Sequence, residues 1–369
     1  MSGTGPVGVG VIGAGVISNQ YLENLTAVPD VRVVMVADLD EARAAAQAEK
    51  YGVALSGSVS ELLARDDIEI VVNLTIPAAH FSVGLEILAA GKSVWSEKPI
   101  ALDLETGSAL LAEARRSGLR VACAPDTVLG AGIQTARRLI DAGTIGAPLT
   151  ALTLFQVSGP ETWHPNPDFL YALGGGPLFD MGPYYLSALV QVMGAASGVV
   201  ARGSTSRSSR VIGSGPRAGE TFPVEVPTHV AALIDFENGT SAQSTFSFQS
   251  SLRREGVVEI SGTDGVLCLP DPNTFDGDLK LWRDGMSEPD VLPATGSTFS
   301  RGAGVVELAR AIRADRPERA SGEFAFHVLD LMVSIQSSAV TGGGFVPIES
   351  SVTTPLALPE DWDPTASTL

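Results

Sequence analysis

The sequence predicts two folded parts: an amino-terminal doubly wound parallel α/β sheet, then an α+β domain on a large open mixed or antiparallel sheet. Three observations carry this. Residues 6–12 are an apolar run that ends in Gly13-Ala14-Gly15 and leads into a helical pattern over 16–26. Strand and helix periods then alternate to about residue 125, the pattern of a parallel sheet with right-handed crossovers. After that the texture changes to short alternating strands joined by Asn238-Gly239 and Asp264-Gly265, both strong hairpin signals.

Each element of the first part has a local cause. Gly13 allows a sharp turn, Gly15 leaves room for a ligand against the backbone, and small Ser18 stands at the third position of the G-x-G-x-x-G pattern. A second apolar run, 31–37, ends at Asp38, where a carboxylate can accept hydrogen bonds from a ribose diol. The helix over 39–51 stops at Gly52, and Ser58 with Glu61 has capping-box spacing. Strands follow at 68–74, 93–96 and 119–124, with helices at 80–90 and from the Asp103 cap to Arg116. The strand–glycine–helix unit places N–H groups against a pyrophosphate, so the first part reads as a dinucleotide-binding domain. Val16, Ile17 and Leu39 flank the loops that would hold it.

Length and composition agree. The chain has 369 residues, 44 % hydrophobic and 18 % charged, which fits two globular domains. A net charge of −18 argues against nucleic acid and anionic membranes, both of which are bound through Lys and Arg patches. Cys123 and Cys268 form no CxxC pair and read as free thiols in a reducing compartment. No run reaches the about 18 apolar residues of a membrane span, and the glycine fingerprint occupies any supposed signal peptide, so the expectation is cytoplasmic. Four histidines have no metal-site spacing, and no metal is expected.

Two further motifs carry chemistry. Glu97-Lys98-Pro99 follows the strand containing Val94-Trp95, on the ligand side of the sheet. A lysine beside an oxidised nicotinamide meets a positive neighbour and partial desolvation; both lower its pKa toward that of a base at neutral pH. Triple glycine 174–176 precedes Asp180, which is expected at the start of a helix over about 183–193, with Tyr184 four residues on and on the same face. Asp180 also reads as a helix cap, and Tyr184 as a core aromatic. His327 lies in an apolar helical pattern and reads as a packed residue.

Taken in order, Gly13-Ala14-Gly15, Asp38, the run from Asn73 through Thr75, Ile76 and Pro77 to His80, Glu97-Lys98-Pro99 and Gly-Gly-Gly-x-x-x-Asp180 mark a resemblance. The chain resembles the glucose–fructose oxidoreductase, inositol dehydrogenase and rhizopine catabolism (Gfo/Idh/MocA) family over about residues 6–340. The resemblance implies a Rossmann NAD(P)-binding domain and oxidation or reduction of a hydroxyl on a sugar, cyclitol or related polyol. It places Lys98 near the reacting carbon, Asp180 on a substrate hydroxyl, Thr75, Ile76 and Pro77 around the nicotinamide, and His80 on the cofactor or as a cap. It also implies a homodimer or homotetramer through the second sheet. The domains are then 1–125 for cofactor, 126–350 for substrate and assembly, and 351–369 as an extended tail.

One position departs from the family, whose Asp-x-x-x-His motif has Tyr184 in place of histidine. Either Tyr184, its phenol lowered by a neighbouring ammonium such as Lys98, or His164 of the loop 158–176 would carry the proton. Trp163 and Tyr171 would stack on a sugar face, or the loop is a structural Pro-rich wrap or a subunit contact. Asp126 ends the last strand of the first domain and is a candidate substrate contact or a cap. Asp38 favours NAD over NADP by repelling a 2′-phosphate, since Leu39 offers no cation and Arg43 lies further along the helix. Two other classes share the scaffold: glycoside cleavage by transient sugar oxidation, and cofactor sensing without turnover. Residues 202–219, rich in Ser, Arg and Gly, read as a mobile loop or a bent strand edge.

Overall fold

The protein was analysed as a computed structural model, which describes residues 4–369. The chain divides into two compact units. The first comprises the residues up to Ala131, then Gly296–Leu329 and Leu358–Leu369, and the second Gly132–Thr295 and Asp330–Ala357. Each unit is therefore built from separate stretches of sequence.

In the first unit, β1 (Val7–Ile12), α1 (Ser18–Leu25), β2 (Val31–Ala37), α2 (Glu41–Tyr51), β3 (Leu55–Gly57) and α3 (Val59–Leu63) come first. They are followed by β4 (Ile70–Asn73), α4 (His80–Ala89), β5 (Ser93–Ser96), α5 (Leu104–Ser117) and β6 (Val121–Cys123). The strands form one parallel sheet in the order β3-β2-β1-β4-β5-β6. Helices cover both faces, so β1, β4 and β5 are buried along their whole length, which is why they read as unbroken apolar runs. The order reverses between β1 and β4, opening a crevice at the carboxyl ends of the strands. The expected caps are present. Asp103 accepts from the Thr106 N–H at 2.8 Å, Ser58 and Glu61 form a reciprocal capping box, and Gly52 and Gly118 end their helices left-handed.

The second unit contains α6 (Ala131–Asp141), β7 (Pro148–Gln156), α7 (Gly176–Met193), β8 (Ala196–Ser204), β9 (Ser209–Val211) and β10 (Thr221–Pro223). Then come β11 (His229–Phe236), β12 (Ser241–Ser247), β13 (Arg254–Gly262), β14 (Gly265–Leu269), β15 (Leu279–Trp282) and β16 (Asp290–Leu292). The last elements are α8 (Ala303–Arg313), α9 (Gly322–Val340) and β17 (Val346–Pro347); α8 belongs to the first unit, and α9 belongs to it up to Leu329 and to the second from Asp330. The large sheet runs β16-β15-β14-β13-β7-β12-β11-β8-β17, antiparallel except where β7 and β12 pair parallel. Helix α7 covers β7, β11 and β12, whose inward residues include Val230, Ile234 and Phe246; Leu233 is exposed on the other face. Of the two readings of residues 202–219, a mobile loop or a bent strand edge, the structure gives strand. They supply the end of β8 and the β9 strand of a hairpin, and Arg210 within them is buried.

The tail 351–369 is largely extended, yet its last twelve residues pack on the first unit. Asp30 is buried there and accepts from Arg310 Nε at 2.7 Å, from the Thr368 N–H and hydroxyl at 2.8 and 2.6 Å, and from the Leu369 N–H at 3.2 Å. Arg310 also donates to the Asp363 and Ala366 carbonyls and lies 5.4 Å from the centre of the Trp362 ring. Burial alone would raise the Asp30 carboxyl, but the hydrogen bonds from Thr368, Arg310 and Leu369 outweigh it and hold it below its ordinary value. A depressed carboxyl stabilises the fold above its unfolded pKa, about 3.9, and loses that contribution as pH falls through the folded value. Hydrogen–deuterium exchange of residues 358–369 is therefore expected to be slow at pH 7. In Asp30→Asn it should be fast at the same pH; an unchanged rate would contradict this account of the anchor.

Candidate functional site

The crevice is built from strand-end loops. Gly13 has φ 103°, and a Cβ there would lie 2.6 Å from the Leu74 carbonyl oxygen, so only glycine fits between β1 and β4. Gly15 faces open space. The Ser18 hydroxyl donates to the Gly15 carbonyl at 2.6 Å, closing the first turn of α1. Asp38 accepts from the Ala14 N–H at 2.7 Å and the Asp40 N–H at 2.9 Å, which locks the glycine loop to the end of β2 and leaves further acceptor capacity on both oxygens. Arg43 stands 3.8 Å from Asp38 and 3.4 Å from Asp40.

Two observations show that these residues fit a dinucleotide. The amides of Gly15, Val16 and Ile17 have no acceptor among the described residues, and they sit at the positive end of α1, where a pyrophosphate is favoured. Three large apolar side chains also lie exposed at loops on this one sheet edge: Val16 (90 %), Leu39 (99 %) and Ile76 (69 %). Exposed apolar groups gathered at one edge are surfaces for rings to cover.

Lys98 leaves the same edge. The Glu97 N–H donates to the Asn73 carbonyl at 2.9 Å, continuing the β4–β5 ladder one residue beyond β5. The Glu97 carboxylate accepts from the Tyr21 hydroxyl at 2.9 Å and from the Lys98 N–H at 3.0 Å, and Trp95 Nε1 donates to the Tyr21 oxygen at 3.1 Å. Burial, with the charges of Glu97 and Asp126 behind it, pushes the Tyr21 phenol well up, so Tyr21 stays a neutral donor. Thr75 is fixed to Asn73, its N–H and hydroxyl donating to the Asn73 side-chain oxygen at 3.3 and 2.7 Å. Pro77 opens a short 3-10 turn before α4.

One expectation for this unit needs correction and another is decided. His80 begins α4, but its ring is buried, with Nδ1 2.7 Å from the Pro99 carbonyl and Nε2 3.0 Å from the Thr75 carbonyl. Both ring nitrogens are engaged by main chain, so the ring has none to offer a cofactor. For Asp126, read as a substrate contact or a cap, the structure gives the cap. It is fully buried and accepts from the Gly302 and Gly304 N–H groups at 2.8 and 3.3 Å, with Arg301 at 3.3 Å. It caps α8, a helix about 175 residues later in sequence.

The second unit presents its own set. Helix α7 begins at Gly176, seven residues before the expected start, with Gly175 as its unassisted N-cap and Pro183 inside it. Asp180 therefore lies in the second turn and is not the N-cap; it is half-buried, one turn before buried Tyr184. In the loop, Trp163 is exposed (67 %) and packs edge-on to His164 at 5.5 Å, and Phe169 flanks His164 at 5.5 Å. His164 Nδ1 accepts from the Asn166 N–H at 3.1 Å. Tyr171 is not a stacking surface: it is buried, its hydroxyl donates to Glu161, and burial followed by that carboxylate pushes its phenol up. Arg210 completes this ion pair at 2.5 Å and donates to the Phe248 carbonyl at 3.1 Å, pinning the loop to the β9–β10 hairpin.

Tyr21, Arg301, Arg210 and Glu161 were not singled out from sequence. Tyr21 could have been, because a phenol in the buried stripe Ser18, Tyr21, Leu22, Leu25 needs a partner. Among the described residues no group of His, Cys, Asp and Glu could hold a metal, and no helix is long and apolar enough to cross a membrane.

Comparison with known proteins agrees with this arrangement. A bovine trans-1,2-dihydrobenzene-1,2-diol dehydrogenase is 28 % identical over 309 residues, 82 % of this chain and 86 % of the relative. An NAD-binding oxidoreductase from Klebsiella pneumoniae superposes with TM-score 0.81 at 23 % identity, covering 94 % of this chain and 100 % of the other. A levoglucosan dehydrogenase complexed with NADH and L-sorbose gives TM-score 0.79 at 20 % identity over 94 % and 100 %. Residues 7–124 match the model of the oxidoreductase family with an NAD-binding Rossmann fold, and 133–268 match the Gfo/Idh/MocA C-terminal domain. With the glycine loop, Asp38 and Lys98 on one sheet edge and both domain models matched in order, the chain belongs to the Gfo/Idh/MocA family of NAD-binding oxidoreductases.

Proposed function

We propose that this protein is a dehydrogenase of a sugar, inositol or related polyol, acting at a secondary hydroxyl or the matching ketone, with NAD preferred over NADP. The observation that carries the reading is Lys98 leaving the carboxyl end of β5 with Glu97 anchored beside it. When bound, the nicotinamide takes up or delivers the hydride. The chain's own residues do the rest. The free amides of the glycine loop hold the pyrophosphate, Asp38 accepts from the ribose, and the exposed faces of Val16, Leu39 and Ile76 are covered by the rings. Lys98 takes the hydroxyl proton, worth about 10²–10⁴ in rate for such a group. Asp180 accepts from a substrate hydroxyl, and Trp163 offers an apolar face to a sugar ring. Tyr184 ranks above His164 as the partner that relays the proton.

The NAD preference follows from charge. Arg43 already faces Asp38 and Asp40, so the cation nearest a 2′-phosphate has two carboxylates to satisfy first. The uncovered face of the large sheet, carrying Leu233, supports assembly as a dimer or tetramer.

The test is a fluorescence titration with NADH, then a panel of inositols, aldoses, levoglucosan and a trans-dihydrodiol with NAD and NADP in parallel. The expected result is saturable NADH binding and turnover of at least one polyol at higher kcat/KM with NAD. Tyr184→Phe should lose more turnover than His164→Ala. Absence of NADH binding, or turnover confined to the dihydrodiol, would overturn the reading.

A further inference from the structure

The His80 ring lies between two carbonyls, and that is chemically unusual. A neutral imidazole has one N–H, so it can donate to the Pro99 oxygen or to the Thr75 oxygen, not to both. The other contact then sets a nitrogen lone pair against a carbonyl oxygen. Only an imidazolium satisfies both. The shorter contact, 2.7 Å from Nδ1 to Pro99 against 3.0 Å from Nε2 to Thr75, marks Pro99 as the acceptor when the ring is neutral.

Its position gives this consequence. The Pro99 carbonyl belongs to the residue after Lys98, and the Thr75 carbonyl opens the turn that carries Ile76 and Pro77. On the other side of Lys98, Glu97 is held by Tyr21. Asn73 adds a second link, donating from Nδ2 to the His80 carbonyl at 3.1 Å while accepting from Thr75. We propose that His80 is a positioning residue, an internal tether that joins the Thr75–Pro77 turn to the Lys98–Pro99 segment through an Nδ1–H bond to the Pro99 carbonyl. The charged groups acting on the ring are Glu97, which favours its proton, and Lys98, which opposes it. Burial is the largest influence and pushes the imidazole down, in keeping with a neutral, single-donor ring at pH 7. The effect of the tether on turnover rests on the reading of Lys98 as the proton-transfer group; its effect on the two segments does not.

The chain has four histidines, so protein labelled with [15N]histidine gives a resolvable set of rings. The expected His80 ring at pH 7 is the Nδ1–H tautomer; an Nε2–H tautomer or an imidazolium overturns the assignment. Hydrogen–deuterium exchange supplies the second measurement. His80→Phe keeps the ring but has no donor, and is expected to speed exchange of residues 97–101 at least tenfold while NADH Kd stays within about threefold. His80→Asn, whose amide can reach the Pro99 side, should restore slow exchange there. Unchanged exchange in folded His80→Phe overturns the tether. A fall in kcat of at least tenfold in His80→Phe, rescued by His80→Asn, supports the link to Lys98, whereas full turnover in Lys98→Met would sink the role of Lys98 and leave the exchange result to judge the tether.

Discussion

Replacing Lys98 with methionine is expected to lower kcat by about 10²–10⁴ while NADH Kd changes by less than about threefold. Methionine keeps an unbranched stem of similar length, so the packing around the carboxyl end of β5 survives and only the titrating amine is lost. The main chain here is held by other bonds as well: Glu97 is bonded to Asn73, Tyr21 and the Lys98 N–H. A loss confined to kcat marks a group whose work is done in the transition state, whereas a rise in KM or Kd alone would mark a binding group. Lys98→Arg sharpens the result. Arginine keeps the positive charge but does not give up its proton in this pH range, so it should be nearly as inactive as methionine. Stopped-flow measurement of the hydride step decides it, and wild-type kcat in Lys98→Met would remove Lys98 from the mechanism.

Removing the Asp126 carboxylate should have the largest effect on stability. Asp126→Ala removes the buried carboxylate beside Arg301 and takes from the Gly302 and Gly304 amides, at the start of α8, the oxygen they share. Breaking a buried pair from one side costs about 3–5 kcal/mol, which corresponds to a fall in Tm of roughly 10 °C. The neighbourhood cannot relax to repair it, because Gly304 sits so close to the Trp95 ring that a Cβ there would lie 1.9 Å from it. Burial raises the Asp126 carboxyl against the pull of Arg301 and the two amides. Ionising it in the fold therefore costs more than in the unfolded chain, and this group favours the fold less as pH rises above about 3.9, opposite in sign to Asp30. Asp126→Asn keeps one acceptor oxygen and should fall between wild type and Asp126→Ala. A Tm for Asp126→Ala within 2 °C of wild type, read by calorimetry, would contradict this account.

The glycine loop, the alternation of strand and helix, the caps at Ser58 and Asp103 and the hairpin at Asn238-Gly239 were legible because each is set by neighbours within a few residues. Where the sequence misled or left two readings open, a distant partner decided the outcome. Asp126 looks like a loop carboxylate until Gly302 and Gly304 supply N–H groups to it. His80 looks like a cofactor contact until the Pro99 carbonyl reaches its ring. For residues 202–219 composition left a loop and a strand edge open, and pairing of β9 with β10 and the Glu161–Arg210 ion pair decide for the strand. Helix α7 starts ahead of the expected position because Gly176 and Pro177 open its first turn, where a missing N–H is harmless.

The scattered origin of the first unit has a consequence for the newborn polypeptide. Its parallel sheet is translated within the opening third of the message, but Asp126 meets its amides only after about 180 more residues have left the ribosome. At 5–20 residues per second that is a wait of roughly 10–40 s. Through that interval a buried carboxylate, the Trp95 face and the site for Arg310 all lack their covers. A nascent fragment ending before α8 should therefore be a substrate for chaperones and proteases, and a gene truncated there should yield no separable coenzyme-binding piece.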